Sequence, residues 1–266
     1  MKPKRSLRRT LAALMAAAVL TAPVFAAGKT DDTPVDAPQA EMTLTDVTTG
    51  DWFYESVMAM LNAGVMKPVT KTEFAPALDA SRGEIITAIW RIAGSPGATS
   101  ETNFTDLPED EDACAAIRWA TQHKILRGYA DKTVRPDAAV TREELAVLLY
   151  GFAKFCGVGI QGDNAAAFGS KNQRTAWPLS YADSDEISDW AYEAVCWCDL
   201  AGILRGDSTG FHPAGTTTRA QLATVVNRLS DSILFIHISG NILPVQHYPD
   251  QLFSHIIQLQ RKEILS

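Results

Sequence analysis

Ala80-Ser-Arg-Gly-Glu84, Val140-Thr-Arg-Glu-Glu144 and Thr217-Thr-Arg-Ala-Gln221 are one short phrase written three times. Each sets a hydroxyl residue three positions before Glu or Gln. In that pattern the hydroxyl and the carboxylate or amide reciprocally satisfy free backbone N–H groups at the start of a helix. Apolar runs follow, as in Leu145-Ala-Val-Leu-Leu-Tyr150. Ser81 with Glu84, Thr141 with Glu144 and Thr218 with Gln221 are therefore read as capping pairs. Working outward, an apolar landmark lies 17, 17 and 16 residues before the three arginines, at Val65, Ile125 and Ile203. A further 13 residues back stand Trp52, Asp112 and Trp190, and each copy opens on an x-Thr/Ala-Asp step: Leu44-Thr-Asp46, Phe104-Thr-Asp106 and Tyr181-Ala-Asp183.

Between these marks each copy reads as helix, loop, helix. In the stretch from Trp190 to Gly202, Ala191, Ala194, Val195 and Cys198 recur at helical spacing, and Gly202 can supply the left-handed residue that ends the helix. Gly128-Tyr-Ala-Asp-Lys-Thr-Val-Arg-Pro136 and Gly206-Asp-Ser-Thr-Gly-Phe-His-Pro213 carry turn residues and close on proline before the capped second helix. Copy three is displaced by Gly157 to Pro178, rich in Gly, Asn and Ser, which reads as an inserted surface loop.

The ordered set, in triplicate, resembles the S-layer homology (SLH) repeat over about residues 43 to 230. The resemblance implies an all-α fold of three helix-loop-helix repeats, pseudo-threefold around a central three-helix bundle, with loops forming prongs. It further implies that grooves between prongs bind secondary cell-wall polysaccharide, often carrying ketal-linked pyruvate, and so hold exported proteins on the bacterial cell wall. The family anchors and does not catalyse. A structural or assembly subunit of the surface layer, acting through protein–protein contacts, is the alternative.

The expected organisation is a signal peptide over 1–26, a spacer over 27–42, repeats over 43–98, 103–156 and 179–230, the inserted loop over 157–178 and a tail over 231–266. The leader has five basic residues and no acid within its first 28 positions, an apolar run from Leu11 to Phe25, and small residues around Val24-Phe25-Ala26. Export is expected, with no membrane contact once the leader is removed. In the tail, Ser232 to Ser239 looks strand-like and Gln251 to Leu265 could be an amphipathic helix. Packing on the third repeat, self-association, or no function are all open for it.

Composition excludes several chemistries. The chain has 24 basic and 31 acidic residues in 266, a formal charge of −7, so a nucleic-acid surface, which needs a basic patch, is not expected. Cys114, Cys156, Cys196 and Cys198 form no CxxC pair, and His237, His247 and His255 are spaced by 10 and 8, so no metal site or cofactor is expected. Glu109-Asp-Glu-Asp112 and Asp183-Ser-Asp-Glu186 lie just before helix starts, where solvated acids complement the dipole. There is no GxSxG, HExxH or P-loop, and the 36 residues after the repeats are too few for a catalytic domain.

The candidate glycan-binding residues are Arg82, Arg142, Arg219, Trp52, Trp190, Gly128 and Gly206. An arginine at the first helical position opposes the macrodipole by a few tenths of a kcal/mol to ~1 kcal/mol. Its threefold recurrence asks for another reason: contact with an anionic ligand, or a salt bridge from repeat to repeat through Asp46, Asp106 or Asp183. Trp52 and Trp190 are either packing residues or exposed rings on which a sugar stacks. Gly128 and Gly206 would let a glycan approach the backbone. Copy one has Lys67-Pro-Val69 there, so the groove using its loop is expected to be weaker.

Overall fold

The structure, a computed structural model, describes residues 43–158 and 173–238, with side chains through 233. The expected signal peptide, the spacer, most of the insert and the tail beyond Ile238 lie outside the described residues. Among the described residues the fold is helical: α1 (Tyr54–Asn62), α2 (Arg82–Ile92), α3 (Glu111–Gln122), α4 (Arg142–Phe155), α5 (Gln173–Ala176), α6 (Asp189–Leu200) and α7 (Arg219–Ile238), with a 3-10 turn at Ser184–Glu186. There is no sheet among them. The isolated bridges Ser81–Ala139, Thr141–Thr216 and Asp79–Thr218 each join the strand-like residues before one second helix to the neighbouring copy.

The helix starts follow from their caps. Ser81 and Thr141 occupy the N-cap positions of α2 and α4 in extended conformation and accept from the Glu84 and Glu144 amides at 3.2 and 3.3 Å. Thr218 does the same for the Gln221 amide at 3.4 Å, directly before α7. At the other end α6 stops because Gly202 takes φ +72°, which turns the Ile203 and Leu204 amides back onto the Cys198 carbonyl.

Packing runs around a ring. α2 lies on α3, α4 on α6, and α7 on α1, so the second helix of each copy pairs with the first helix of the next and the third copy returns to the first. α2 also touches α4 and α7. The second helices carry the deepest residues: Ile85, Ile89 and Ile92, Leu145, Leu149 and Phe152, and Leu222, Val226 and Leu229 are all buried. Burying each such side chain stabilises the fold by ~1.5–3 kcal/mol. A single cluster unites them, so no copy has a core of its own.

Two local expectations are corrected. The strand-like run from Ser232 continues α7 as helix to Ile238. No glycine or proline interrupts the chain between Arg219 and Ser239, and extending an existing helix costs less than starting a new element. The insert is not loop throughout: Gln173–Ala176 forms α5 against α6. Arg174 fastens it by donating to the Ser184 and Ile187 carbonyls and to Asp189, with its guanidinium 4.5 Å from the Tyr192 ring centroid.

Candidate functional site

The three first-turn arginines turn sideways into the next copy. Arg82 donates to the Arg127 carbonyl at 3.1 Å; Arg142 donates to Phe211 and Arg205, both at 2.8 Å; Arg219 donates to Phe74 at 2.7 Å and Lys67 at 2.8 Å. Each guanidinium also faces a ring of the copy it enters, Tyr129, Phe211 and Phe74 respectively, at 5.5, 5.0 and 4.5 Å from the centroid. The backbone repeats the exchange: Arg82, Arg142 and Arg219 N–H groups donate to Ala138, Gly215 and Leu78 carbonyls. Neither alternative weighed from sequence had included carbonyl acceptors. Arg82 and Arg219 are buried and Arg142 is half-buried, and burial draws the pKa of Arg142 and Arg219 down from the ordinary arginine value.

The aspartates expected as salt-bridge partners serve their own copies instead. Asp46 accepts from Phe74 and Ala75 amides, Asp106 from Val134 and Arg135, and Asp183 from Phe211 and His212, all at 2.6–2.9 Å. Each carboxylate thus closes a loop 28 or 29 residues downstream. The second amide of each pair belongs to a residue with positive φ: Ala75, Arg135 or His212. For Asp183 burial works against the charge, yet the Phe211 and His212 amides, together with its own amide and the nearby His212 ring, hold the carboxyl below its ordinary range.

Gly128 and Gly206 have a packing reason that the sequence reading did not see. A Cβ on Gly128 would lie 2.1 Å from the Phe104 ring, and one on Gly206 would lie 2.4 Å from the Gly210 carbonyl oxygen and 2.5 Å from the Tyr181 ring. Both rings come from the x-Thr/Ala-Asp step. Copy one has Leu44 in that position and Pro68 in place of the glycine. The smaller side chain and the bulkier loop residue occur together, so the missing glycine is no defect of that loop.

The capping pairs differ in a way that shapes the junctions. Glu144 accepts from the Thr141 amide at 3.0 Å and Gln221 from the Thr218 amide at 3.1 Å, completing reciprocal boxes. Glu84 does not return to Ser81; its carboxylate pairs with Arg219. That ion pair borders an open pocket of about 320 Å³ between copies one and two, lined by Lys67, Glu84, Arg91, Asp110, Asp137 and Arg219 among others. Gly83 lines it without a side chain and packs closely on Pro136, whereas its counterpart at the next junction, Glu143, accepts from the Ser188 amide at 2.9 Å and hydroxyl at 3.0 Å.

Trp52 and Trp190 are exposed at 67% and 61%, which removes the packing reading for both. Each stands at the start of a first helix, at a junction with the preceding copy, and Trp52 rests edge-on against Phe53 at 5.3 Å. Asp112, their counterpart in copy two, pairs with Arg91 at 2.7 Å and Lys67 at 3.1 Å. Its carboxyl is held below the ordinary range, mainly by the hydrogen bonds from Arg91 and Lys67. Among the described residues no group of His, Cys, Asp and Glu is arranged to hold a metal ion.

The S-layer homology domain model matches residues 43–86, 103–146 and 180–223. The chain carries three S-layer homology repeats. Its SLH region is similar to a cellulosome-anchoring protein of Acetivibrio thermocellus, 28% identical over 161 residues, 58% of this chain and 33% of that protein. It is also similar to a surface-layer 125 kDa protein of Lysinibacillus sphaericus, 24% identical over 67% of this chain and 14% of that protein. An amylopullulanase of Thermoanaerobacterium thermosulfurigenes is 24% identical over 72% of this chain and 9% of that enzyme. The chain spans a third or less of each of these relatives. Such partial coverage carries no enzymatic activity over to the SLH repeats.

Proposed function

We propose that the three SLH repeats form a non-covalent anchor that holds an exported protein on the bacterial cell wall by binding anionic secondary cell-wall polysaccharide, pyruvylated forms included. The exposure of Trp52 and Trp190 carries this reading. Large aromatic rings left in water at two repeat junctions cost solvation, and an apolar face with an N–H at its edge suits a sugar ring with its hydroxyls. Arg142, the least buried of the three arginines, brings a cation that favours a carboxylate to the loop whose Phe211 and Arg205 carbonyls it holds. Arg82 and Arg219 support the ligand from behind by fixing the loops, and Gly128 and Gly206 offer backbone that a glycan can approach. The names of the cellulosome-anchoring and surface-layer relatives agree with a place at the cell surface.

The matches to surface-layer proteins also favour an assembly role through protein–protein contacts. One experiment separates the two: co-sedimentation of the purified protein with cell-wall sacculi before and after chemical removal of the acidic secondary polymer. The anchor reading expects binding that disappears with the polymer. Binding that survives the removal would refute it.

A further inference from the structure

The chain that leads from α2 to α3 is tied down on either side of one short stretch. Upstream, the Thr99 and Ser100 amides donate to Gln122 on α3 at 2.8 and 3.1 Å. Downstream, Phe104 lies over Gly128 and packs on the core, and Asp106 accepts from the Val134 and Arg135 amides at 2.8 and 2.7 Å. Residues 101–104 run between these ties without helix or turn, and exposure alternates along them: Glu101, Asn103 and Thr105 are exposed, Thr102 and Phe104 half-buried. An extended chain sends every second side chain to one face. The outer face therefore presents an acid, a carboxamide and a hydroxyl at two-residue spacing, while the Thr102 hydroxyl is buried. Asn103-Phe-Thr105 is also an N-x-Ser/Thr acceptor sequence, and Asn103 is the one asparagine of six in the chain followed two positions later by Ser or Thr. The equivalent positions hold Thr43 and Ser180, so copy two alone of the three repeats carries it.

We infer that Asn103 is an acceptor for an N-linked oligosaccharide in the folded chain, with Glu101 and Thr105 as the flanking side chains that a transferase reads. The Asn103 carboxamide makes no hydrogen bond among the described residues, so the fold does not compete for it. The Thr105 hydroxyl reaches the Lys132 carbonyl only at 3.5 Å, the outer limit of a hydrogen bond, and turns readily to a better partner. Glu101 has its side chain 79% exposed and pairs with Arg118 at 3.2 Å, a surface ion pair that contributes little and yields to a cation of the enzyme. The ties at Thr99, Ser100, Phe104 and Asp106 hold the stretch open beforehand, which lowers the ordering cost of binding. In the transfer, Asn103 Nδ2 bonds to the anomeric carbon of a polyprenyl-diphosphate-linked oligosaccharide. The bond from that carbon to the diphosphate oxygen breaks, polyprenyl diphosphate leaves, and the carboxamide gives one proton to a base of the transferase. No oxidant or reductant takes part.

The test incubates the purified, folded full chain with a bacterial oligosaccharyltransferase and a polyprenyl-diphosphate-linked oligosaccharide of known mass. Mass spectrometry follows the intact protein and its tryptic peptide Ile92–Arg118, in which Asn103 is the single asparagine. The unaltered protein should gain one oligosaccharide, on that peptide. Asn103→Gln and Thr105→Ala should abolish transfer, and Thr105→Ser should retain it. Glu101→Gln should slow transfer by about tenfold or more, the loss expected for one charged hydrogen bond. Asn103→Gln should keep the urea midpoint of the unaltered chain, which separates lost transfer from lost folding. No transfer to the folded chain, while a short peptide of residues 99–108 is modified in the same mixture, would overturn the inference. Transfer to another residue instead, or a Glu101→Gln rate equal to that of the unaltered chain, would overturn it as well. Binding of the unmodified protein to sacculi is a separate readout, so the anchor reading stands or falls independently of this site.

Discussion

Replacing Arg219 with Met keeps most of the side chain's volume over Phe74 and removes every side-chain hydrogen bond that ties copy three to copy one through that residue. The Phe74 and Lys67 carbonyls each lose a charged donor, and Glu84 loses its cation. Arg219 is 5% exposed, so water replaces little of what is lost. Breaking a buried charged pair by removing one member costs ~3–5 kcal/mol, a large share of the ~5–15 kcal/mol that holds an ordinary domain together. Arg82→Met removes a single carbonyl contact and should cost only about 1–2 kcal/mol. Arg142→Met, with two contacts on a half-buried side chain, should fall between. Urea unfolding followed by far-ultraviolet circular dichroism measures all three, the midpoint moving while the slope stays constant. Arg219→Lys should recover little, because one ammonium cannot span three acceptors on different segments. A loss under 1 kcal/mol at Arg219, full recovery by lysine, or an inverted order among the three would refute the view that these arginines lock the ring.

Gly128→Ala should destabilise the copy-two loop by about 1–3 kcal/mol through overpacking against Phe104. Adding Phe104→Leu should recover much of that loss, as Leu44 with Pro68 implies, and a double-mutant cycle by thermal unfolding would show no coupling if the packing account were wrong. The depressed carboxyl of Asp183 contributes stability above the unfolded aspartate value of about 3.9, and this is lost as pH falls through the lower folded value. The deficit of Asp183→Asn should accordingly be largest at pH 7 and shrink by pH 3, measured by urea unfolding; an equal deficit at both would remove the charge from the argument. Burial lifts the thiols of Cys156 and Cys198 above their ordinary range and that of Cys196 up to about 12, so a thiol reagent at pH 8 should label none of the three before unfolding.

The helix starts were legible because capping is local: a hydroxyl and a carboxylate three residues apart solve a problem posed by the adjacent backbone. The all-helical class followed from those starts and the apolar periodicity behind them. What joins one copy to another was not legible, because its acceptors are main-chain carbonyls and every residue has one. Nothing in the letters Lys67, Arg127 and Arg205 shows that their carbonyls receive arginines from another copy. The glycines hid a second reason of the same kind. Gly128 and Gly206 invited a ligand, while their demand for space comes from Phe104 and Tyr181, more than 20 residues earlier. The helix through Ser232 to Ile238 was hidden because a short apolar run has no periodicity of its own to separate strand from helix. The tryptophans left two readings open, since a helix start says nothing of which side faces water; only the packing of α1 and α6 decides that both rings are exposed.

Calorimetric titration of the full chain with purified acidic wall polymer, and with the same polymer after its carboxyl groups are reduced to alcohols, tests the anchoring account most directly. The account predicts saturable binding to the native polymer, weakening as salt rises, and loss of that binding on reduction. Equal affinity for the native and reduced polymers would contradict it.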